Sequence, residues 1–193
     1  MAHAAIRNRG TLGGSLALAD PAAELPACMV CLGAQITVAS QKSERAIRAE
    51  DFFSGIYTTA CAANELLLRV AIPFFDSRWR FDFSEVARRR GDFALAGLAF
   101  AVCLANRRIE DCRIVVCGVE VAPRRLRKVE YSLIGAELEN STARTAACAA
   151  LVEELEPMSS GDCPAEYRLH VASALLNDAV DSLTREESIH GDE

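Results

Sequence analysis

Apolar and polar positions alternate along this chain with a spacing that changes from block to block. The first block is a Gly-rich segment at residues 8–15, holding Gly10, Gly13 and Gly14, that runs straight into Leu16, Ala17, Leu18 and Ala19. This pattern predicts a loop that opens a short helix. Asp20 ends the helix, because the residue before Pro21 is pushed out of the α region. Pro21 suits the first turn of the next helix, with Glu24 near its positive end. Residues 22–32 are almost all apolar and are bounded by Gly33, which reads as a buried helix with a glycine cap. Residues 34–39 alternate with period two and are β-branched, so they predict a strand, with residues 40–44 as a polar turn and 45–48 as the return strand. Residues 49–55 predict a short helical turn that points Phe52 and Phe53 at a core, and residues 65–72 predict a further strand closed by Pro73.

A break falls at residues 74–78. Beyond it Trp79, Phe81, Phe83 and Glu85 alternate with Arg80, Asp82 and Ser84, the signature of a strand with one aromatic face. Residues 95–105 and 109–121 are two long apolar runs separated by Asn106, Arg107 and Arg108, which predicts a buried hairpin. Together with the Trp79 strand this makes a three-stranded antiparallel sheet, too small to stand unless one face is covered. The cover is predicted downstream, in helices over residues 142–156 and 165–185. The latter carries Leu169, Ala172, Leu176, Ala179 and Leu183 at helical spacing. The fold class is therefore α+β, with lobes at 1–76 and 77–187 and a polar tail at 188–193.

Composition narrows the function classes. The chain has 193 residues, about half of them apolar, and a net charge of −6. That balance argues against general nucleic-acid binding, since the one unbroken run of three basic residues, Arg88, Arg89 and Arg90, is short. Those arginines read either as a solvated turn or as a seat for an anionic group or neighbouring subunit. No apolar run has the length of a membrane span, and the leading residues have no signal-peptide core, so the expectation is a cytoplasmic protein.

The eight cysteines are scattered through apolar segments, and Cys28 and Cys31 form the single C-x-x-C pair. They read as buried small hydrophobes rather than metal ligands. The three histidines, His3, His170 and His190, join no nucleophile or acid to make a catalytic arrangement, and no carboxylate pair marks itself as acid and base. No catalytic residue and no metal ligand is assigned.

The glycine segment is the remaining candidate. Glycines there allow positive φ or a close approach of backbone, and a loop opening a helix offers N–H groups to an anion. The string Thr11-Leu12-Gly13-Gly14-Ser15, followed by Asp20-Pro21-Ala22-Ala23-Glu24-Leu25-Pro26, resembles the FAD-binding subunit of the molybdenum hydroxylases. The family includes the medium subunit of carbon monoxide dehydrogenase and the FAD domain of xanthine dehydrogenase. Its members carry T-[IVL]-G-G-[NS] and D-P-A-A-[DE]-L-P at these places. The D-F-F-x-G turn at 51–55, the E-[IL]-L-x-x-[VI]-x-[IV]-P strand at 65–73 and the R-R-x-x-D-[FIY]-A segment at 88–94 follow the same family.

The resemblance implies a second flavin lobe at 1–76 and the C-terminal lobe of the subunit at 77–187. It implies FAD contacts at Thr11, Gly13, Gly14, Ser15, Glu24 and Leu67. Leu18 replaces a position often polar, and Ser84 stands where a lysine near the flavin is frequent. The family's usual first lobe, with its A-G-G-x-[ST] loop, has no counterpart in residues 1–10. The resemblance therefore implies a truncated or split FAD subunit, which binds flavin weakly or with a partner chain supplying that lobe. The other partners implied are a molybdopterin-binding large subunit and an iron–sulfur small subunit, whose cofactors are not on this chain. The implied role is electron transfer from the iron–sulfur clusters through FAD to an acceptor. The alternative is a non-catalytic remnant or assembly module that no longer binds FAD alone.

Overall fold

The structure, a computed structural model, describes residues 8–89, 91–161 and 163–190. The first lobe begins with α1 (Leu12–Leu18) and α2 (Glu24–Cys31), followed by β1 (Gln35–Ala39), β2 (Glu44–Arg48) and α3 (Ala49–Phe52). Two short strands, β3 (Phe53–Gly55) and β4 (Thr58–Thr59), then lead to β5 (Leu66–Ala71). The second lobe holds β6 (Trp79–Ala87), β7 (Ala94–Ala105), β8 (Arg108–Cys117), β9 (Arg124–Arg125), α4 (Arg127–Leu133), α5 (Ser141–Glu154) and α6 (Ala165–His190).

In the first lobe an antiparallel sheet of order β2-β1-β5 is set by the alternation in β1, whose Ile36 and Val38 are fully buried. The helix predicted from residue 22 starts two residues later. Asp20 Oδ1 accepts the Ala22 N–H at 2.9 Å and the Asp20 carbonyl accepts that of Ala23 at 3.0 Å, so a side-chain-anchored turn occupies residues 20–23. Pro26 instead takes the first turn of α2, where its missing N–H costs nothing. Gly33 caps α2 as expected: it has φ 63°, its N–H bonds Val30 O, and the Ala34 N–H bonds Met29 O.

The second sheet has four strands rather than three, in order β6-β7-β8-β9. β9 is two residues long, too short for any periodicity to show. Asn106 and Arg107, at φ 49° and 61°, make the two-residue β7–β8 turn that the right-handed twist of a hairpin favours. β8 stops at Cys117, short of the predicted residue 121, because Gly118 turns the chain with φ +72°.

Alternation along β7 divides the interior in two. Leu98, Phe100, Val102 and Leu104 face α4, α5 and α6 together with Ile114 and Val116 of β8. Ala99 and Ala101, with Val115 and Cys117, face the first lobe and share one core with Ala27, Val30, Ile36 and Phe52. Both faces of the sheet are thus covered, α2 lying on the side the sequence left open. The small alanines of β7 let that helix approach closely.

α4 was not legible as a helix. Its first N–H groups, those of Arg127 and Lys128, donate to Glu154 Oε1 and Oε2 at 3.0 and 2.9 Å, so a carboxylate from the end of α5 caps it. Glu130 is 4% exposed. It accepts from the Ile114 N–H at 2.9 Å and from Arg125 Nε and Nη2 at 2.7 and 3.0 Å. Arg127 also donates to Glu50 at 2.7 and 3.0 Å, tying the second lobe to α3 of the first. At the chain's end, residues 188–190 continue α6 rather than starting a tail, and 191–193 lie outside the described residues.

Candidate functional site

Thr11 is the N-cap of α1: its backbone is extended at φ −127°, and Oγ1 accepts the Gly14 N–H at 2.9 Å. The first helical bond runs from the Ser15 N–H to Thr11 O at 3.1 Å. The N–H groups of Leu12 and Gly13 precede it and are directed out of the helix end. The glycines therefore lie in the first turn of a helix, and neither Gly13 nor Gly14 takes positive φ. Their value is a lack of side chain. A Cβ on Gly14 would stand 2.9 Å from Thr11 Oγ1 and displace the cap, whereas one on Gly13 would stand 3.9 Å from Leu67 Cδ2.

Four of the six candidates, Thr11, Gly13, Gly14 and Ser15, thus form one turn, and Leu67 on β5 flanks it. Elsewhere on this part of the chain apolar side chains face outward: Leu18, at the other end of α1, is exposed, as are Leu66 and Phe74. Glu24, the sixth candidate, is the first residue of α2, half-buried, at the helix end that favours a carboxylate. Ser84 does not approach this region. It pairs with Leu98, on the sheet face that belongs to the helix-covered core, and its Oγ is buried without a hydrogen-bond partner.

At the far end of α1 the chain is strained. Ala19 has φ 53°, Tyr57 has φ 52°, and the Tyr57 N–H donates to Ala19 O at 3.2 Å. Two side chains other than glycine in this region mark a place held by its surroundings. The Tyr57 hydroxyl donates to Asp20 Oδ2 at 3.3 Å, and that carboxylate pushes the phenol's pKa up. Asp20, Tyr57, Arg88, Asp92, Phe93 and Arg168 line a cleft of about 440 Å³. Arg89 is exposed, and Arg90 lies outside the described residues. Sequence reasoning missed Tyr57 and Arg168. Tyr57 lies in a turn without periodicity, and Arg168 sits in a helix where its burial is unannounced.

The cysteine pair on α2 is poorly suited to ligate. Burial pushes the Cys28 thiol up to about 11, with Glu24 adding to it, and burial pushes Cys31 up to about 12. Among the described residues no group of three His, Cys, Asp or Glu is arranged to hold a metal ion. His170 is exposed on α6, and His3 lies outside the described residues. No helix among the described residues is long and apolar enough to cross a membrane.

The sequence and the fold recur in known proteins. Residues 1–75 match the family described as the FAD binding domain in molybdopterin dehydrogenase, and residues 81–183 match the CO dehydrogenase flavoprotein C-terminal domain. The nicotine 6-hydroxylase medium subunit of Paenarthrobacter nicotinovorans is 39% identical over 180 residues, covering 93% of this chain and 62% of that protein. The caffeine dehydrogenase subunit beta of a Pseudomonas species is 36% identical over 181 residues, covering 93% and 61%. Among solved structures, quinoline 2-oxidoreductase from Pseudomonas putida 86 superposes with TM-score 0.86 at 40% identity, over 94% of this chain and 63% of that one. CO dehydrogenase from Oligotropha carboxidovorans superposes with TM-score 0.89 at 31% identity, over the same shares of 94% and 63%. The chain spans less than two thirds of the length of these relatives. With residues 1–75 and 81–183 matched to these two domain families, this chain belongs to the FAD-binding medium subunits of the molybdopterin dehydrogenases.

Proposed function

We propose that this chain holds FAD at the start of α1 and serves as the electron-transfer flavoprotein of a molybdopterin-dependent dehydrogenase. The carrying observation is the first turn of α1, where bare glycine backbone lies beside Leu67. The unpaired N–H groups of Leu12 and Gly13 suit the anionic phosphates of a dinucleotide, and Thr11 and Ser15 add hydroxyls at the same turn. Leu67 offers an aliphatic side chain to the ring system, and Glu24 a carboxylate that can accept from the cofactor's hydroxyl or N–H groups. The open N–H groups and the two hydroxyls fit the cofactor's anionic phosphates, and Leu67 its apolar ring. When bound, FAD supplies the redox chemistry, exchanging electrons with iron–sulfur centres on one side and an acceptor on the other. The protein binds and orients it.

The partners of this reading are a molybdopterin-binding large subunit, an iron–sulfur small subunit and a source for the first flavin lobe. The exposed Leu66 next to Leu67 on β5 supports a neighbour near this lobe, since apolar surface of this kind is commonly covered in an assembly. All eight cysteines are free thiols, which supports a cytoplasmic setting.

The test is a flavin titration followed by absorbance and fluorescence quenching, on the wild type and on Gly14→Asp. The variant puts a carboxylate where phosphate is to sit and drives a Cβ into Thr11 Oγ1. Saturable binding lost in the variant supports the reading. Equal binding by both removes the site from α1. No binding by the wild type, with or without its partner subunits, would make the chain an assembly module without flavin.

A further inference from the structure

Arg168 lies on α6 and is 6% exposed. Its Nη1 donates to the carbonyl oxygens of Leu95 and Gly118, and its Nη2 to Ser160 Oγ at 3.0 Å. Among the described residues it makes no ion pair, and its Nε is buried without a hydrogen-bond partner. A guanidinium buried without a carboxylate loses hydration that carbonyl dipoles only partly return. A group held at such a cost points to something it fixes in place.

What it holds is the crossing between the lobes. The Gly118 N–H donates to Pro21 O at 2.7 Å, so Gly118 is gripped by Arg168 on one side and grips Pro21 on the other. A side chain here would be strained: φ is +72°, and a Cβ would stand 3.0 Å from Ala94 O and 3.1 Å from Leu95 O. Pro21 belongs to the turn that Asp20 anchors through the Ala22 and Ala23 N–H groups, and Ala23 is the N-cap from which Glu24 and α2 begin. The contacts therefore run without a gap from α6 to Glu24. The planar fork of arginine can seize the two carbonyls and Ser160 together, which a lysine ammonium on its flexible stem does with less definition.

We infer that Arg168 is a positioning residue for the cofactor site, fixing Glu24 and the turn at residues 20–23 against the C-terminal sheet through Gly118. The inference rests on the reading that Thr11 to Ser15, Glu24 and Leu67 hold FAD. It assigns the second lobe a share in flavin affinity without any contact with the flavin.

The experiment compares Arg168→Lys and Arg168→Met with wild type in the full chain and in the complex it purifies with. Amide hydrogen exchange without flavin is read first, FAD dissociation constants second. Both variants should speed exchange at Gly118, Ala22 and Ala23 by roughly tenfold or more while amides near the Asn106 turn stay protected. FAD affinity should fall by about tenfold in Arg168→Met and be partly restored in Arg168→Lys. Unchanged exchange at Ala22 and Ala23 would overturn the inference. So would an even rise across the chain that follows a lowered melting temperature, which is the behaviour of a strut for the fold alone. Should Arg168→Met fail to fold, Ser160→Ala, which keeps the charge and removes one acceptor, takes its place in the same comparison. Wild type binding FAD with variants of equal affinity overturns the role of Arg168 alone. Wild type that does not bind FAD overturns the reading beneath it and the inference with it.

Discussion

Gly13 in the first turn of α1 lies directly beside Leu67 of β5, with Cδ2 of the leucine 3.9 Å from where a glycine Cβ would be. Two positions far apart in the chain thus form one surface of bare backbone and aliphatic side chain. The antiparallel pairing of β5 with β1 brings them together, because it sets β5 alongside the core on which α1 rests.

Gly13→Ala separates folding from binding. The added methyl finds ordinary contact distance, and alanine is the better helix former, so stability should hold or rise by up to about 0.5–1 kcal/mol. FAD affinity should fall by about tenfold, since the methyl lies where backbone meets ligand. Thermal melting and a flavin titration on one preparation check both halves.

Thr11→Val keeps the shape of the cap and removes its acceptor. The Gly14 N–H then loses its partner, at a cost of about 1 kcal/mol. Denaturant unfolding should register that loss. The same substitution should weaken FAD binding more than it weakens the fold.

Glu130→Ala should be the costliest substitution in the second lobe. It leaves the Ile114 N–H and the Arg125 guanidinium without their acceptor in a buried place, a loss of about 3–5 kcal/mol. Arg125→Met combined with Glu130→Leu should cost less than Glu130→Ala alone, since no charge is then stranded. Urea unfolding of the three proteins decides it.

How legible was all this? The alternation in β1, the long apolar runs of β7 and β8 and the helical spacing of α6 were enough, because each buries a continuous face. β5, in contrast, was legible as an apolar run closed by Pro73, although only Leu67 and Val70 turn toward the core. The motif at Thr11–Ser15 and Glu24 was legible as a string, but its geometry was not. Gly10, Gly13 and Gly14 read as a loop, whereas Thr11 makes the turn that holds Gly13 and Gly14 helical by accepting the Gly14 N–H. α4 was hidden because its capping carboxylate, Glu154, is far along the chain, and its charged face reads as solvent-exposed. The double-sided burial of the sheet was hidden too. Ala99 and Ala101 are small enough to read as filler, yet they are where the first lobe docks.

Acid stability has a defined contributor in Glu65. Arg45 bonds its carboxylate, the Ala62 N–H adds a second donor, and together they lower its pKa from 4.5 to about 2. A carboxyl whose folded pKa is depressed contributes stability above its unfolded value and loses it as pH falls through the folded one. The contribution should therefore be full above pH 4.5 and fade down to about pH 2. Glu65→Gln should flatten that part of the stability profile and leave the profile near neutral pH parallel to wild type, as urea midpoints measured across the range will show.

The central claim is that the open end of α1 seats the flavin, and the most direct measurement is of the backbone that would do so. In a labelled sample titrated with FAD, the amide resonances of Leu12 and Gly13 and the methyl resonances of Leu67 should move together and saturate at one dissociation constant. Saturable FAD binding that leaves those three residues unmoved while others shift would contradict the account.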